Sequence, residues 1–267
     1  MPAAPRPSRA EVDEIAAFLA AAGVASGARI LDVPCGIGRR AHGLAEHGFR
    51  MTAVDANPVA IEALRRRAPK DLRARMECRS AAREAMPDLP ADEHFDVILC
   101  LDHAIGRAPE DEDRAFLARL AAHLAPGGFL LLDTLHRDYF AARPRPFACH
   151  VLGEVEQHEF RRFDPVTGVL DLTWKFYQRD AKDLRFQGAS SARMRLLAPH
   201  ETEEILRAAG WRVEAWYGGW GKEAVSADRR KLLLVARPAA ELNSVTAFVT
   251  RASSGAPDAP RTPGKEA

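Results

Sequence analysis

The chain has 267 residues, 47% of them hydrophobic and 28% charged, the profile of a soluble globular protein of one ordinary domain with room for an insertion. Its formal net charge is +1, so the overall balance gives no reason to expect a nucleic-acid or membrane surface. Four cysteines, at positions 35, 78, 100 and 149, make no CxxC pair and no disulfide framework, and no apolar run reaches membrane-spanning length. With no apolar leader in "MPAAPRPSRA", the expected setting is a reducing cytoplasm.

In chain order, residues 1–10 are rich in Pro and Ala and are expected to be flexible. "EVDEIAAFLAAAG" puts Val12, Ile15, Ala16, Phe18 and Leu19 on one helical face, and Gly23 stops it. "ARILDV" reads as a buried strand, "RRAHGLAEHG" as a helix, "FRMTAVD" as a second strand and "NPVAIEALRRRA" as a helix with Pro58 in its first turn. "ARMECRS" is a weaker third strand, and "FDVILCLD" is a fourth that is apolar on both faces. "EDEDRAFLARLAAHLAPGG" predicts a helix with acids in its first turn and a glycine C-cap, followed by the strand "FLLLDT".

Strands too apolar for a wet face, alternating with helices, predict an α/β fold with a parallel sheet covered on both sides. The pattern breaks near residue 145. "VEQHEFRRF-DPVTG-VLDLTWKFYQ" is two extended runs about a turn, with Leu170, Leu172, Trp174 and Phe176 alternating with Asp171, Thr173 and Lys175. "RFQGASSARMRL" predicts a third antiparallel strand. A helix over "PHETEEILRAAG" and strands over "WRVEAWY" and "RRKLLLVARP" close the domain, and the Pro-rich 239–267 stretch is expected to be a disordered tail. The domain therefore spans 11–238, with a β insertion at about 148–198.

Gly36-Ile-Gly38-Arg-Arg-Ala41, followed by Asp55 at the end of the next strand, fits a dinucleotide fingerprint. That signal alone is weak, and three details turn it away from a nicotinamide cofactor. Asp32, at the end of the first strand, repels a pyrophosphate and suits an ammonium group. Pro34 stands at the first-glycine position and removes an N–H from the rim of the loop. The chain closes with helix, strand, long turn and strand rather than with a second run of parallel strands.

"ILDVPCGIGR", "VDAN", "FDVILCLDHAIG", "LAPGGFLLLD" and "AGWRVEAWYGGWG…RRKLLLVARP", in that order, resemble a class I S-adenosylmethionine-dependent methyltransferase, in the small-molecule branch that carries DVPCGxGR. The resemblance covers roughly residues 11–238 and implies a Rossmann-like seven-stranded sheet with helices on both faces and an antiparallel β insertion as substrate lid. It implies S-adenosyl-L-methionine as cofactor, with Asp32, Pro34, Gly36 and Gly38 at its methionine half. Asp55 would take both ribose hydroxyls while also suiting a helix N-cap, and Ala56 would line the adenine edge. The acid usual after the third strand is missing. Ala81 stands there, so Ser80 and the backbone of Ala81 and Ala82 are the expected adenine contacts. Arg39 matches the family's GxGR, and Arg40 reads equally as a solvated helix start.

Leu101 and Asp102 follow the fourth strand, where the transferred methyl emerges in such enzymes. His103 is the acid–base candidate, with a backbone-capping loop histidine as the alternative, and Asp102 either orients it or caps the turn. Tyr139, after the fifth strand, is a possible third catalytic group. Asp102 and Asp133 end neighbouring strands, but no Asp-Asn pair follows the fifth strand, so no metal is expected. On the insertion, Arg161, Arg162, Arg193 and Arg195 are candidates for an anionic or carbonyl-rich substrate, solvated strand faces being the alternative. Tyr217, with Trp216 and Trp220, is a further substrate candidate or a packing residue. The family often reads R-L-Y-T where this chain has Arg195-Leu196-Leu197-Ala198, so no tyrosine contact carries over. The predicted function is methyl transfer to a small-molecule acceptor, nitrogen or oxygen before carbon, with no nucleic-acid or membrane partner. A noncatalytic cofactor-binding protein and a nicotinamide-dependent oxidoreductase are the alternatives.

Overall fold

The computed structural model describes residues 9–81, 89–180 and 183–239; Ala82 and most of both termini lie outside them. Its main sheet runs β10 (Trp211–Tyr217), β11 (Lys231–Pro238), β5 (Leu124–Leu135), β4 (Phe95–Cys100), β1 (Arg29–Asp32), β2 (Arg50–Asp55), β3 (Met76–Ser80). The strands are parallel except β11, which is antiparallel to both its neighbours. This is the predicted α/β sheet, in the predicted strand positions.

The central strands are buried on both faces because helices cover both. α1 (Arg9–Ala21), α2 (Arg39–Glu46) and α3 (Pro58–Arg67) pack one side around Ile15, Leu19, Leu44, Ile61 and Leu64. α4 (Glu110–Ala122) and α6 (Pro199–Ala208) pack the other around Phe116, Leu120, Leu206 and Trp211. The buried residues of α1 are the five that its spacing predicts. α3 starts where Asn57 caps it, its side chain accepting from Val59 N and Ala60 N at 3.0 and 3.4 Å. No helix among the described residues is long and apolar enough to cross a membrane.

One predicted boundary is corrected. α4 ends at Ala122 with His123, not a glycine, at its C-cap. His123 O already accepts from Phe95 N at 2.9 Å and His123 Nδ1 lies 3.0 Å from Glu93 O, so the chain is committed to the sheet before it reaches Gly127. Gly127 and Gly128 then fall in the irregular start of β5.

The insertion is a separate four-stranded antiparallel sheet, β6 (Phe147–Leu152), β7 (Val155–Phe163), β8 (Val169–Asp180) and β9 (Asp183–Arg195), in sequential order. Leu170, Leu172 and Phe176 are buried as their alternation predicts, Trp174 half-buried. Leu170, Leu172, Met194 and Leu196 pack with Phe140 of the short helix α5 (Arg137–Ala142), so the apolar face of the lid serves packing. β9 is tied to the loop after β4: Arg195 N donates to Gly106 O at 2.7 Å. Gly106 has φ 82°, and a Cβ there would lie 2.3 Å from Arg195 O, so only glycine admits this approach.

Candidate active site

The carboxyl ends of β1, β2 and β4 open into a cleft of roughly 380 Å³ lined by Pro34, Gly36, Asp55, Ala56, Ala81 and Asp102, with Ala104, Arg107 and Phe116 completing its wall. Open α/β sheets hold ligands at this end because loops diverge there. Gly36 has φ 56° and a Cβ added to it would meet nothing within 4 Å, whereas a Cβ on Gly38 would fall 2.1 Å from Leu64 Cδ1. The first glycine thus leaves ligand space and the second lets the loop and α2 sit against α3. Asp55 braces this loop, its two oxygens accepting from Gly36 N at 2.7 Å and Asn57 N at 2.8 Å. Each oxygen keeps a second lone pair for a ligand. Ser80 ends β3 opposite Asp55, and Ala81 N donates to Asp55 O. Arg39 opens α2 beside the loop. The Leu101 side chain is buried in the core under α1–α3 and does not line the cleft.

Asp32 is fully buried beneath the loop, and neither carboxylate oxygen has a hydrogen-bond partner. Burial pushes its pKa up to about 7, against the opposing charge of Arg40. An unpartnered buried carboxylate is costly, so this one is suited to a cationic group. Arg40 is buried rather than solvated: it pairs with Asp102 at 2.8 Å and Glu11 at 3.2 Å. Burial works against its charge, but Asp102, Asp32 and Glu11 outweigh it and raise its pKa. Lys231 Nζ bridges Asp102 at 3.2 Å and Asp133 at 3.1 Å, closing a chain of alternating charge across the mouth of the sheet.

Asp102 and His103 both adopt left-handed backbone, φ 63° and 56°. For non-glycine residues this is uncommon. Three hydrogen bonds with two side chains hold it: His103 N donates to Asp133 at 3.0 Å, Arg107 Nε to His103 O at 2.9 Å, and Arg107 NH2 to Asp102 O at 3.1 Å. The imidazole is nearly inaccessible and both its nitrogens are engaged. Leu135 N donates to Nδ1 at 3.2 Å, so Nδ1 is the acceptor; Nε2 lies 3.1 Å from Arg195 O, to which it donates. Burial first, then Arg107, lowers its pKa to about 4. His103 therefore ties β5 to β9 and offers the cleft no base. The backbone-bonding alternative fits, and Asp102 orients Arg40 and Lys231 rather than His103.

The lid arginines do not converge. Strand alternation sends Arg161 to the inner face, where it donates to Glu159, and puts Arg162 and Arg193 on the outer face against Asp171 at 2.8 and 3.6 Å. Arg195 spans Glu110 at 3.2 Å and Glu201 at 2.6 Å. All four are paired with carboxylates, Arg162 and Arg193 sharing Asp171, so the predicted anion-binding group is corrected to structural ion pairs. Tyr217 packs edge-on to Phe18 at 5.8 Å and belongs to the α1 core, and Trp216 donates to Glu203. Tyr139 packs on Phe140 at 5.4 Å with Arg143 over its ring, away from the cleft lining. Sequence reasoning missed Arg107 and Phe116, which line the cleft, and Lys231, which pairs with Asp102 beside it; each sits among ordinary helix, loop or strand neighbours, and only the fold brings it there.

Residues 30–128 match the family described as a methyltransferase domain. The ubiquinone biosynthesis O-methyltransferase of Schizosaccharomyces pombe is 36% identical over 146 residues, 52% of this chain and 50% of that protein. The chain thus spans about half the length of that relative. Among solved structures, the CcbJ methyltransferase of Streptomyces caelestis superposes with a TM-score of 0.73 at 18% identity, over 88% of this chain and 93% of that one. The two chains share one fold. CalS10 of Micromonospora echinaspora, an amino pentose methyltransferase solved with S-adenosylmethionine bound, gives 0.66 at 22% identity over 86% of this chain and 91% of its own.

Proposed function

We infer that the protein is an S-adenosyl-L-methionine-dependent methyltransferase acting on a small-molecule acceptor. The observation that carries this reading is Asp32, a buried carboxylate with no hydrogen-bond partner, lying behind the cleft wall beneath a glycine loop whose first position is proline. A pyrophosphate there would add negative charge beside Asp32; the ammonium of a methionine moiety would neutralise it. Pro34, Gly36 and Gly38 shape the rest of that half-site. Asp55 receives the ribose hydroxyls, Ala56, Ser80 and Ala81 edge the adenine, and Phe116 and Ala104 give it an apolar wall. Leu101 sets the end of β4 and is a core residue rather than a contact.

When bound, the cofactor would supply a sulfonium-activated methyl; an acceptor's lone pair would bond to its carbon as the carbon–sulfur bond breaks and S-adenosylhomocysteine leaves. The chain's part is to align the nucleophile, and orientation of that kind is worth roughly 7 kcal/mol or more in favourable cases. With His103 committed to the fold, a nucleophile that attacks before losing its proton suits the site, and nitrogen or oxygen is favoured over carbon. Asp102 is the charged group at the cleft placed to receive that proton. Partial desolvation works against its charge, but Arg40 and Lys231 hold its pKa below the ordinary carboxylate value.

Thermal unfolding with S-adenosylhomocysteine, against NADH and NADPH, tests the reading. Binding to the folded state raises the melting temperature by mass action. The rise is expected with S-adenosylhomocysteine only. Asp55→Ala, which loses charge-assisted bonds of about 1.5–3 kcal/mol each, lowers affinity roughly tenfold or more. Asp55→Asn, retaining one acceptor oxygen for the loop, separates loss of ribose contacts from loss of loop structure. A rise confined to a nicotinamide cofactor overturns the assignment.

A further inference from the structure

The outer face of the lid sheet carries donors that the cleft does not use. Cys149 on β6 is the register partner of His158 on β7, and Glu156 precedes His158 by two residues, so the pleat puts all three side chains on one face. Their ligand atoms lie within 4.8 Å of one another. Cys149 Sγ is 3.3 Å and His158 Nε2 2.7 Å from the same oxygen, Glu156 Oε1, so thiol and imidazole both direct a proton at one point. The other carboxylate oxygen lies 4.0 Å from Arg179, which leaves Oε1 turned to the pair. The imidazole is flanked by Phe147 at 5.4 Å and Tyr177 at 4.7 Å, so its direction is set by packing.

We propose that Cys149, Glu156 and His158 bind one zinc-class divalent cation, which pins edge strand β6 to β7 on the face of the lid away from the cleft. One sulfur, one nitrogen and one oxygen donor match the borderline-soft cations and are a poor set for magnesium or calcium, which take oxygen ligands. Thiolate and carboxylate together balance the charge of the dication. The thiol proton leaves to solvent on binding, and the imidazole proton moves from Nε2 to Nδ1 to free the coordinating lone pair. A fourth position faces solvent and takes water. Without the cation, partial desolvation and then the bond to Glu156 keep the thiol protonated, raising its pKa. Five of the six β6 residues are exposed and, among the described residues, the strand has one neighbour, so apolar packing does little to hold it, and a cross-strand cation supplies that hold.

The test uses the full chain, stripped with chelator and titrated with Co²⁺ as a spectroscopic probe before Zn²⁺ displaces it. The expected result is a thiolate-to-cobalt charge-transfer band that saturates at one equivalent, is bleached by Zn²⁺, and is lost in Cys149→Ser and in His158→Ala. Cys78→Ser, altering another partly accessible cysteine, retains it. Proton release accompanies saturation. No band with the folded wild-type chain, or a band that survives Cys149→Ser, overturns the proposal. Stabilisation by S-adenosylhomocysteine, measured on the same variants, reports folding and the cleft independently, so either reading fails alone.

Discussion

Burial that pushes Asp32 up to about 7 ties the site to pH. In the free protein a carboxyl with a raised folded pKa contributes stability fully below its unfolded pKa, near 3.8, and that contribution is lost as pH rises through about 7. A bound ammonium reverses the preference by favouring the carboxylate. Affinity for S-adenosylhomocysteine should therefore strengthen as pH rises through about 7, with proton release below it. Calorimetry in buffers of different ionisation enthalpy measures both, and Asp32→Asn should bind more weakly with a flatter profile. The same residue-scale logic separates His103 from catalysis. With a pKa near 4 and both nitrogens bonded, it should leave no neutral limb in a kcat/KM–pH profile. His103→Ala should instead lower stability, by about 1–3 kcal/mol for each of Arg195 O and Leu135 N left unpaired. A neutral limb that vanishes in this variant would restore the base.

At the scale of the element, the glycine loop divides its two tasks between two positions. Gly36→Ala should cost about 1–2 kcal/mol of backbone strain and weaken cofactor binding, because the new methyl enters open space at the cleft. Gly38→Ala should fold poorly, because its methyl strikes Leu64 on α3 as well as occupying φ 70°. Denaturant titration of the pair distinguishes them by size. Sheet and helices were legible because burial dictates composition: β4 and β5 are covered on both faces and read as apolar runs, and α1 shows its buried stripe at helical spacing. β6 is the exception. Its run Phe147–Leu152 is largely apolar, yet the strand is exposed along nearly its whole length, so there composition does not report burial.

Across the whole molecule, what was illegible is what depends on distant pairing. Arg40 follows Arg39 as an ordinary basic helix start, and only the approach of β4 and α1 makes it the buried partner of Asp102 and Glu11. The four lid arginines looked like one group because they lie on neighbouring extended runs, yet strand pleat and their carboxylate partners divide them. The lid itself stands on a small apolar cluster centred on Leu170. Leu170→Ala should cost about 2–5 kcal/mol, and amide exchange should rise over β7–β9 before it rises in the main sheet.

β9 and the loop after β4 share the hydrogen bond from Arg195 N to Gly106 O and the one from His103 Nε2 to Arg195 O. Ala104 and Arg107 of that loop wall the cleft. The insertion and the wall of the cleft are thus joined by hydrogen bonds between distant segments. A ligand that changes the seating of the insertion would change the wall, and reciprocity then requires that ligand and S-adenosylhomocysteine to alter each other's affinity by the same factor. A thermodynamic square, built from acceptor binding measured with and without S-adenosylhomocysteine, would put a number on that coupling.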